Sequence, residues 1–121
     1  MSAFSRPPIE ATRKQPVKTI PKACYTSASL VIQENADPDV RTDLVSALDR
    51  LAPADAQWVH DVEGPDDMPA HVKTMLTGVS LHVPVIAGAL ALGVWQGIYI
   101  AEHRARPHRR EIVLQFIGSR K

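Results

Sequence analysis

CYTSASLVIQENADPDVRTDLVSALDRLAP, Cys24 to Pro53, changes its hydrophobic period once, around Asn35–Pro38. Before that point small and β-branched residues follow one another, the composition of a strand over about Cys24–Gln33. After it the pattern is helical. Asp37 offers a short side-chain acceptor to the first free N–H groups, and Pro38 suits the first helical position. Val40, Leu44, Ala47, Leu48 and Leu51 then recur on one face, and Pro53 stops the helix. A strand that runs straight into a capped helix makes a mixed fold the starting point.

Reading towards the C-terminus, His60–His71 (HDVEGPDDMPAH) has a loop composition. Asp66 or Asp67 can cap a second helix through Met68–Leu76, whose apolar members are Met68, Val72, Met75 and Leu76, and Gly78 ends it. Val79–Val85 alternates and predicts a strand. Ala87–Gly88 predicts a turn, and Ala89–His103 a returning strand in which Gly93 and Gly97 signal a bend, a bulge or a close backbone approach. Arg110–Gly118 predicts a final buried strand. The class is α+β, with antiparallel strands and two helices.

Met1–Ala23 reads differently. Pro7, Pro8, Pro16 and Pro21 break helix and strand alike, and the apolar residues follow neither period. The segment is read as a tail, with residues 24–121 as the domain. At 121 residues, 45% hydrophobic, 22% charged and net charge +1, the chain has room for one domain and no charge excess to attract nucleic acid or an anionic membrane. A single cysteine, Cys24, excludes an internal disulfide, and no apolar run reaches the ~18 residues of a membrane span. The expectation is a cytoplasmic protein.

The chemistry concentrates between His60 and His71. Two imidazoles bracket Asp61, Glu63, Asp66 and Asp67, donors suited to zinc or a similar divalent ion. Such a site needs a ligand from elsewhere, and Glu102–His103 supplies candidates. Period-2 alternation puts Trp95, Tyr99 and His103 on one strand face and Gln96 and Glu102 on the other. His103 therefore meets His60 and His71 only where that strand end packs against the acidic loop. The alternative reading is a set of surface histidines hydrogen-bonded to carboxylates. Of the basic run Arg104, Arg106, Arg109 and Arg110, Arg104 adjoins the candidate site and suits a phosphate; the rest read as a solvated loop. Trp95 and Gln96 suit a pocket wall or the core.

Three blocks, TSASLVIQENADPDVRTDL, HDVEGPDDMPAH and LALGVWQGIYIAEHR, together resemble the YjbQ-like proteins, often labelled secondary thiamine-phosphate synthases. The resemblance runs from Tyr25 to about Gly118. It implies an α+β fold with an antiparallel β-sandwich core, assembled as a homotrimer, and a polar pocket with clustered histidines that hold a metal. Carried onto this chain, the ligands are His60, His71 and His103. Glu63, Asp67, Arg104 and Glu102 are the catalytic candidates, and Asn35, Trp95 and Gln96 are the substrate-binding ones. Two departures stand out. The family pattern reads His-Thr-Ser-Ala-Ser where this chain has Tyr25, and a phenol is a poor substitute for imidazole as base or ligand at neutral pH. The usual N-terminal strands also have no counterpart in the pattern of Met1–Ala23.

These features lead to the expectation of a metal-dependent enzyme acting on a small phosphorylated substrate, with weak thiamine-phosphate synthase activity. In that scheme Glu63 or Asp67 shuttles a proton and Arg104 steadies the anion. The alternatives are a non-catalytic trimer that binds a small ligand or metal, and a decayed family member.

Overall fold

The computed structural model describes residues 3–5 and 25–119. Its elements are β1 (Ala3–Ser5), β2 (Ala28–Glu34), α1 (Pro38–Leu51), α2 (Asp67–Thr77), β3 (Val85–Ile86), β4 (Ala89–Leu90) and β5 (Gln96–Glu102). The α+β class, with two helices and antiparallel sheets, is as expected from the sequence.

The central unit is a three-stranded antiparallel sheet in the order β1-β5-β2. β5 lies in the middle and pairs with β2 along its whole length, from Ala28 opposite Glu102 to Glu34 opposite Gln96. Its other edge takes β1, with Ala3 opposite Glu102. β1 falls inside the segment read as a tail, so the reading of Met1–Ala23 as strandless is corrected at Ala3–Ser5. The remainder of that reading lies outside the described residues.

Alternation along β5 is strict. Gly97, Tyr99 and Ala101 are buried, and His103 continues the same face. The backbone must pass close at Gly97, where a Cβ would sit 3.0 Å from the Tyr99 ring and 3.2 Å from the Asn35 Cβ. Trp95, expected on the Tyr99 face, precedes the strand and is exposed.

α1 starts as its sequence dictates. The Asp37 carboxylate accepts from the Asp39 N–H at 2.9 Å and Pro38 occupies the first turn. None of its residues is fully buried. It is tied to the rest by the buried Lys73 ammonium, 2.5 Å from the Asp49 carboxylate, and by Arg41 over the Tyr99 ring.

α2 packs on β2, where Thr77 meets Ser29 and Ala70 is fully buried, and Gly78, at φ 89°, ends it in a backbone region that favours glycine. Its buried residues are Asp67, Pro69, Ala70, Lys73 and Thr74. The apolar members read from the sequence lie elsewhere, Met75 and Leu76 being exposed. The buried stripe of α2 is largely polar because it forms the wall of a site.

Three predicted strands are corrected. Val79–Val85 is irregular up to residue 84, and only Val85–Ile86 pairs, with Ala89–Leu90, around the Ala87–Gly88 turn. Both turn residues have positive φ (51° and 80°), the signature of a tight hairpin. Residues 91–95 then interrupt what was read as one strand from Ala89 to His103. Arg110–Gly118 is also not a strand; Leu114, Phe116 and Ile117 are exposed. Alternating β-branched residues form a strand only where a neighbour accepts their hydrogen bonds, and among the described residues none lies beside this segment. Among the described residues no helix is long and apolar enough to cross a membrane.

Candidate metal centre

The loop before α2, the first turns of α2 and the end of β5 converge. Asp67 opens α2 and His71 follows one turn later on the same face, while His60 folds back from the loop. Asp67 Oδ2 lies 2.7 Å from His60 Nε2 and 3.1 Å from His71 Nε2, and the carboxylate is buried. One donor atom from each of these residues lies within 4.8 Å of the others.

Asp67 is held from its other side by Arg104. The guanidinium donates through Nη1 to Asp67 Oδ1, through Nε to Asp66 Oδ2 at 3.1 Å, and through Nη2 to the Glu63 carbonyl at 2.9 Å. The Ala105 N–H adds a bond to Asp66 Oδ2 at 2.8 Å. Asp66 therefore gives its carboxylate to the strand end and does not cap its own helix. The Ala105 N–H and Arg104 hold the Asp66 carboxyl below the usual carboxylate range, against the smaller effect of its burial. Burial is the largest influence on Asp67 and works against its charge, but the His60 hydrogen bond, with Arg104 and His71, outweighs it and leaves the carboxyl lowered. Burial likewise opposes the Arg104 charge, and Asp66 and Asp67 overcome it and raise the guanidinium.

The hydrogen bonds of His71 fix its tautomer. Nδ1 faces the Thr26 carbonyl at 2.9 Å, and a carbonyl only accepts, so Nδ1 carries a proton. Nε2 then faces the ionised Asp67, as a bare lone pair in the neutral ring and as a second N–H donor in the imidazolium. Two acceptors facing each other repel unless a proton or a cation lies between them. This is how metal-binding histidines are prepared, with one ring nitrogen donating to a backbone oxygen and the other free to coordinate. Two imidazoles and a carboxylate suit zinc and related divalent ions and leave coordination positions open, so the residues present fit such a group.

His103 is not among these three. It points into the core from the Tyr99 face, and Nε2 lies 2.8 Å from Ser29 Oγ. Thr77 Oγ1 donates to the Lys73 carbonyl at 2.6 Å, so it accepts from Ser29 at 2.5 Å, and Ser29 in turn accepts from His103. This makes His103 the Nε2–H tautomer and leaves Nδ1 buried with no partner among the described residues. Burial first, then the nearby Lys73 charge, lowers its pKa to about 4.

The other candidates separate. Glu63 is exposed, and its backbone carbonyl accepts from Arg104. Glu102 accepts both Nε and Nη2 of Arg110, at 2.7 and 2.5 Å, and the Arg104 N–H at 3.0 Å. Burial opposes its charge, but Arg110 and the Arg104 N–H keep its carboxyl lowered. Asn35, Trp95 and Gln96 lie at the far end of the β2–β5 ladder, where Asn35 Nδ2 donates to the Gln96 carbonyl. At ~3.4 Å per residue that end is about 20 Å from Glu102, so within one chain these three residues are remote from His60 and His71. A cleft of about 540 Å³ opens instead beside His71, lined also by Tyr25, Thr26, Thr74, Met75, Gly78 and Val79. The Thr26 carbonyl and Arg110 escaped the sequence reading; a backbone oxygen leaves no mark in sequence, and Arg110 looked like part of a solvated run.

Fold and site together define an α+β domain with a braced histidine–carboxylate cluster at one end of an antiparallel sheet. Residues 22–119 match the family described as UPF0047 protein YjbQ-like, and the chain belongs to that family. It is 53% identical over 95 residues to the UPF0047 protein sll1880 of Synechocystis, covering 78% of this chain and 65% of that protein. It is 47% identical to the UPF0047 protein YjbQ of Salmonella typhimurium, covering 78% and 68%. The conserved hypothetical protein TT1486 of Thermus thermophilus superposes with a TM-score of 0.70 at 37% identity, over 78% of this chain and 72% of its own. An uncharacterised YjbQ/UPF0047 protein of Clostridium acetobutylicum gives a TM-score of 0.66 at 39% identity, over 74% and 70%.

Proposed function

We propose that this protein is a divalent-metal-dependent enzyme acting on a small phosphorylated substrate, with a weak capacity to form thiamine phosphate, and that it works as a homotrimer. The observation that carries the metal reading is the orientation of His71: with Nδ1–H committed to Thr26, Nε2 faces the Asp67 carboxylate, which His60 Nε2 also approaches. His60, Asp67 and His71 would hold the ion. When bound it would supply Lewis acidity toward a phosphate oxygen or a water molecule.

The chain's own residues then divide the work. Asp67, buried and held ionised, is suited to keeping charge in place rather than to moving protons. Glu63, exposed in the loop that precedes α2, is the better proton carrier. Arg104 has its donors committed to Asp66, Asp67 and Glu63, so its part is to position the carboxylates. Exposed Leu114, Phe116 and Ile117 support assembly into an oligomer.

Elemental analysis and zinc titration of the full chain test the site, with His71→Ala as the control. Stoichiometric metal that disappears in the variant supports the reading, and unchanged metal content refutes it. Thiamine-phosphate formation with and without chelator tests the activity. Turnover indifferent to chelator would remove metal dependence, and light scattering that gives a monomer would remove the trimer.

A further inference from the structure

Tyr25, Thr26 and Ser27 belong to no strand or helix, yet the Thr26 carbonyl in their middle sets the His71 tautomer. The residues on either side of it are gripped by the C-terminal segment. Arg110 Nη2 donates to Ser27 Oγ at 3.1 Å and to the Ser27 carbonyl at 3.3 Å. The same guanidinium forks onto Glu102 and lies 4.9 Å over the Tyr25 ring. The next residue, Glu111, donates its backbone N–H to the Tyr25 hydroxyl at 2.8 Å. The His103 N–H adds a backbone bond to the Ser27 carbonyl at 3.2 Å. The Arg110 and Glu102 side chains are largely buried, so water competes weakly for these bonds.

We infer that Arg110 is a positioning residue which, by clamping Tyr25 and Ser27, aims the Thr26 carbonyl at His71 Nδ1 and so keeps His71 Nε2 free to take a ligand. The step from free Nε2 to metal rests on the function proposed above; the step from Arg110 to tautomer does not. Which imidazole nitrogen carries the proton is decided by the bond the other nitrogen makes. A loop released from Arg110 lets the Thr26 carbonyl drift, and His71 can then move its proton to Nε2, where Asp67 would accept it. The result is a site whose third donor is blocked while its residues are all present.

The test is the two-bond ¹H–¹⁵N spectrum of the histidine rings in the metal-free full chain above neutral pH, together with a zinc titration. The wild type should show His71 as the Nδ1–H form. Arg110→Gln should shift it towards Nε2–H and weaken zinc binding by about tenfold, the lower end of what loss of an outer hydrogen-bond partner does. Arg110→Lys, which keeps the charge and loses the fork, should not restore the wild-type spectrum. A wild-type His71 pattern in Arg110→Gln overturns the inference whatever zinc does. If the wild type binds no zinc but its tautomer follows Arg110, the positioning role stands and the metal reading falls. Should Arg110→Gln fail to fold, Ser27→Ala removes the Arg110–Ser27 Oγ bond and Tyr25→Phe the Glu111–Tyr25 bond. Both should then move the His71 pattern, and an unmoved pattern in both overturns the inference.

Discussion

Lowering the pH from 7 to 5 should destabilise this protein through one residue, His103. Its ring is buried, its Nε2–H is given to Ser29, and its pKa falls from 6.5 to about 4. The unfolded chain therefore binds a proton at this position in the window between about 4 and 6.5 that the folded chain refuses. Stability due to the neutral ring is complete above pH 6.5 and is lost as the pH falls through that window. With those two values, linkage gives a loss of about 2 kcal/mol between pH 7 and pH 5, a large part of the stability of a small domain. The assay is urea unfolding at both pH values for the wild type and His103→Gln, which keeps an N–H donor toward Ser29 and has nothing to titrate. The wild-type midpoint should drop by more than that of the variant, at unchanged m-value. Equal drops in the two proteins would mean that His103 is not held neutral, and the hydrogen-bond assignment through Ser29 and Thr77 would fail with it.

Arg104→Gln should lower zinc affinity by about 10- to 100-fold in a competition titration, because Asp67 loses the bond that orients it; unchanged affinity would show that α2 alone places the carboxylate. Gly97→Ala should destabilise by about 1–3 kcal/mol in denaturant, since the new methyl meets the Tyr99 ring and the Asn35 Cβ; a neutral result would show that the β5 backbone has room to shift. Tyr25→His places an imidazole in the cleft wall beside His71. It should raise metal affinity or turnover, the new imidazole donor outweighing the loss of the Glu111–Tyr25 bond, and a silent substitution would put Tyr25 outside the working site.

The parts of the fold legible in sequence were those fixed by local chemistry. Asp37 and Pro38 announce α1, Gly78 closes α2, and Ala87–Gly88 makes the hairpin. The parts misread needed a partner to exist. Val79–Val85 and Arg110–Gly118 carry strand composition, but a strand is a relation between two segments and composition describes only one. The site followed the same division. His60, Asp67 and His71 lie within one short stretch and are brought together by one helical turn. His103 was placed on the Tyr99 face by alternation, and that face proved to be the buried one, which leads the residue to Ser29 instead of to the cluster. Asn35, Trp95 and Gln96 could not be assigned to an end of the sheet until the β2–β5 register was known.

Asp67 and His71 occupy the first and second turns of α2, four residues apart. An isolated helix is limited by nucleation, the ordering of several residues before the first hydrogen bond repays it. An ion held between this pair would fasten the turn in which that ordering happens, and its binding energy would act on the helix as a whole. α2 in turn carries Lys73, the link to α1, and Thr77, which bonds to Ser29 of the sheet. Removing the ion should then be felt as fraying that starts at Asp67 and spreads along α2. Amide hydrogen exchange would record it first at residues 70–74, where the helix makes its first backbone bonds, Ala70 N–H to the Asp66 carbonyl among them.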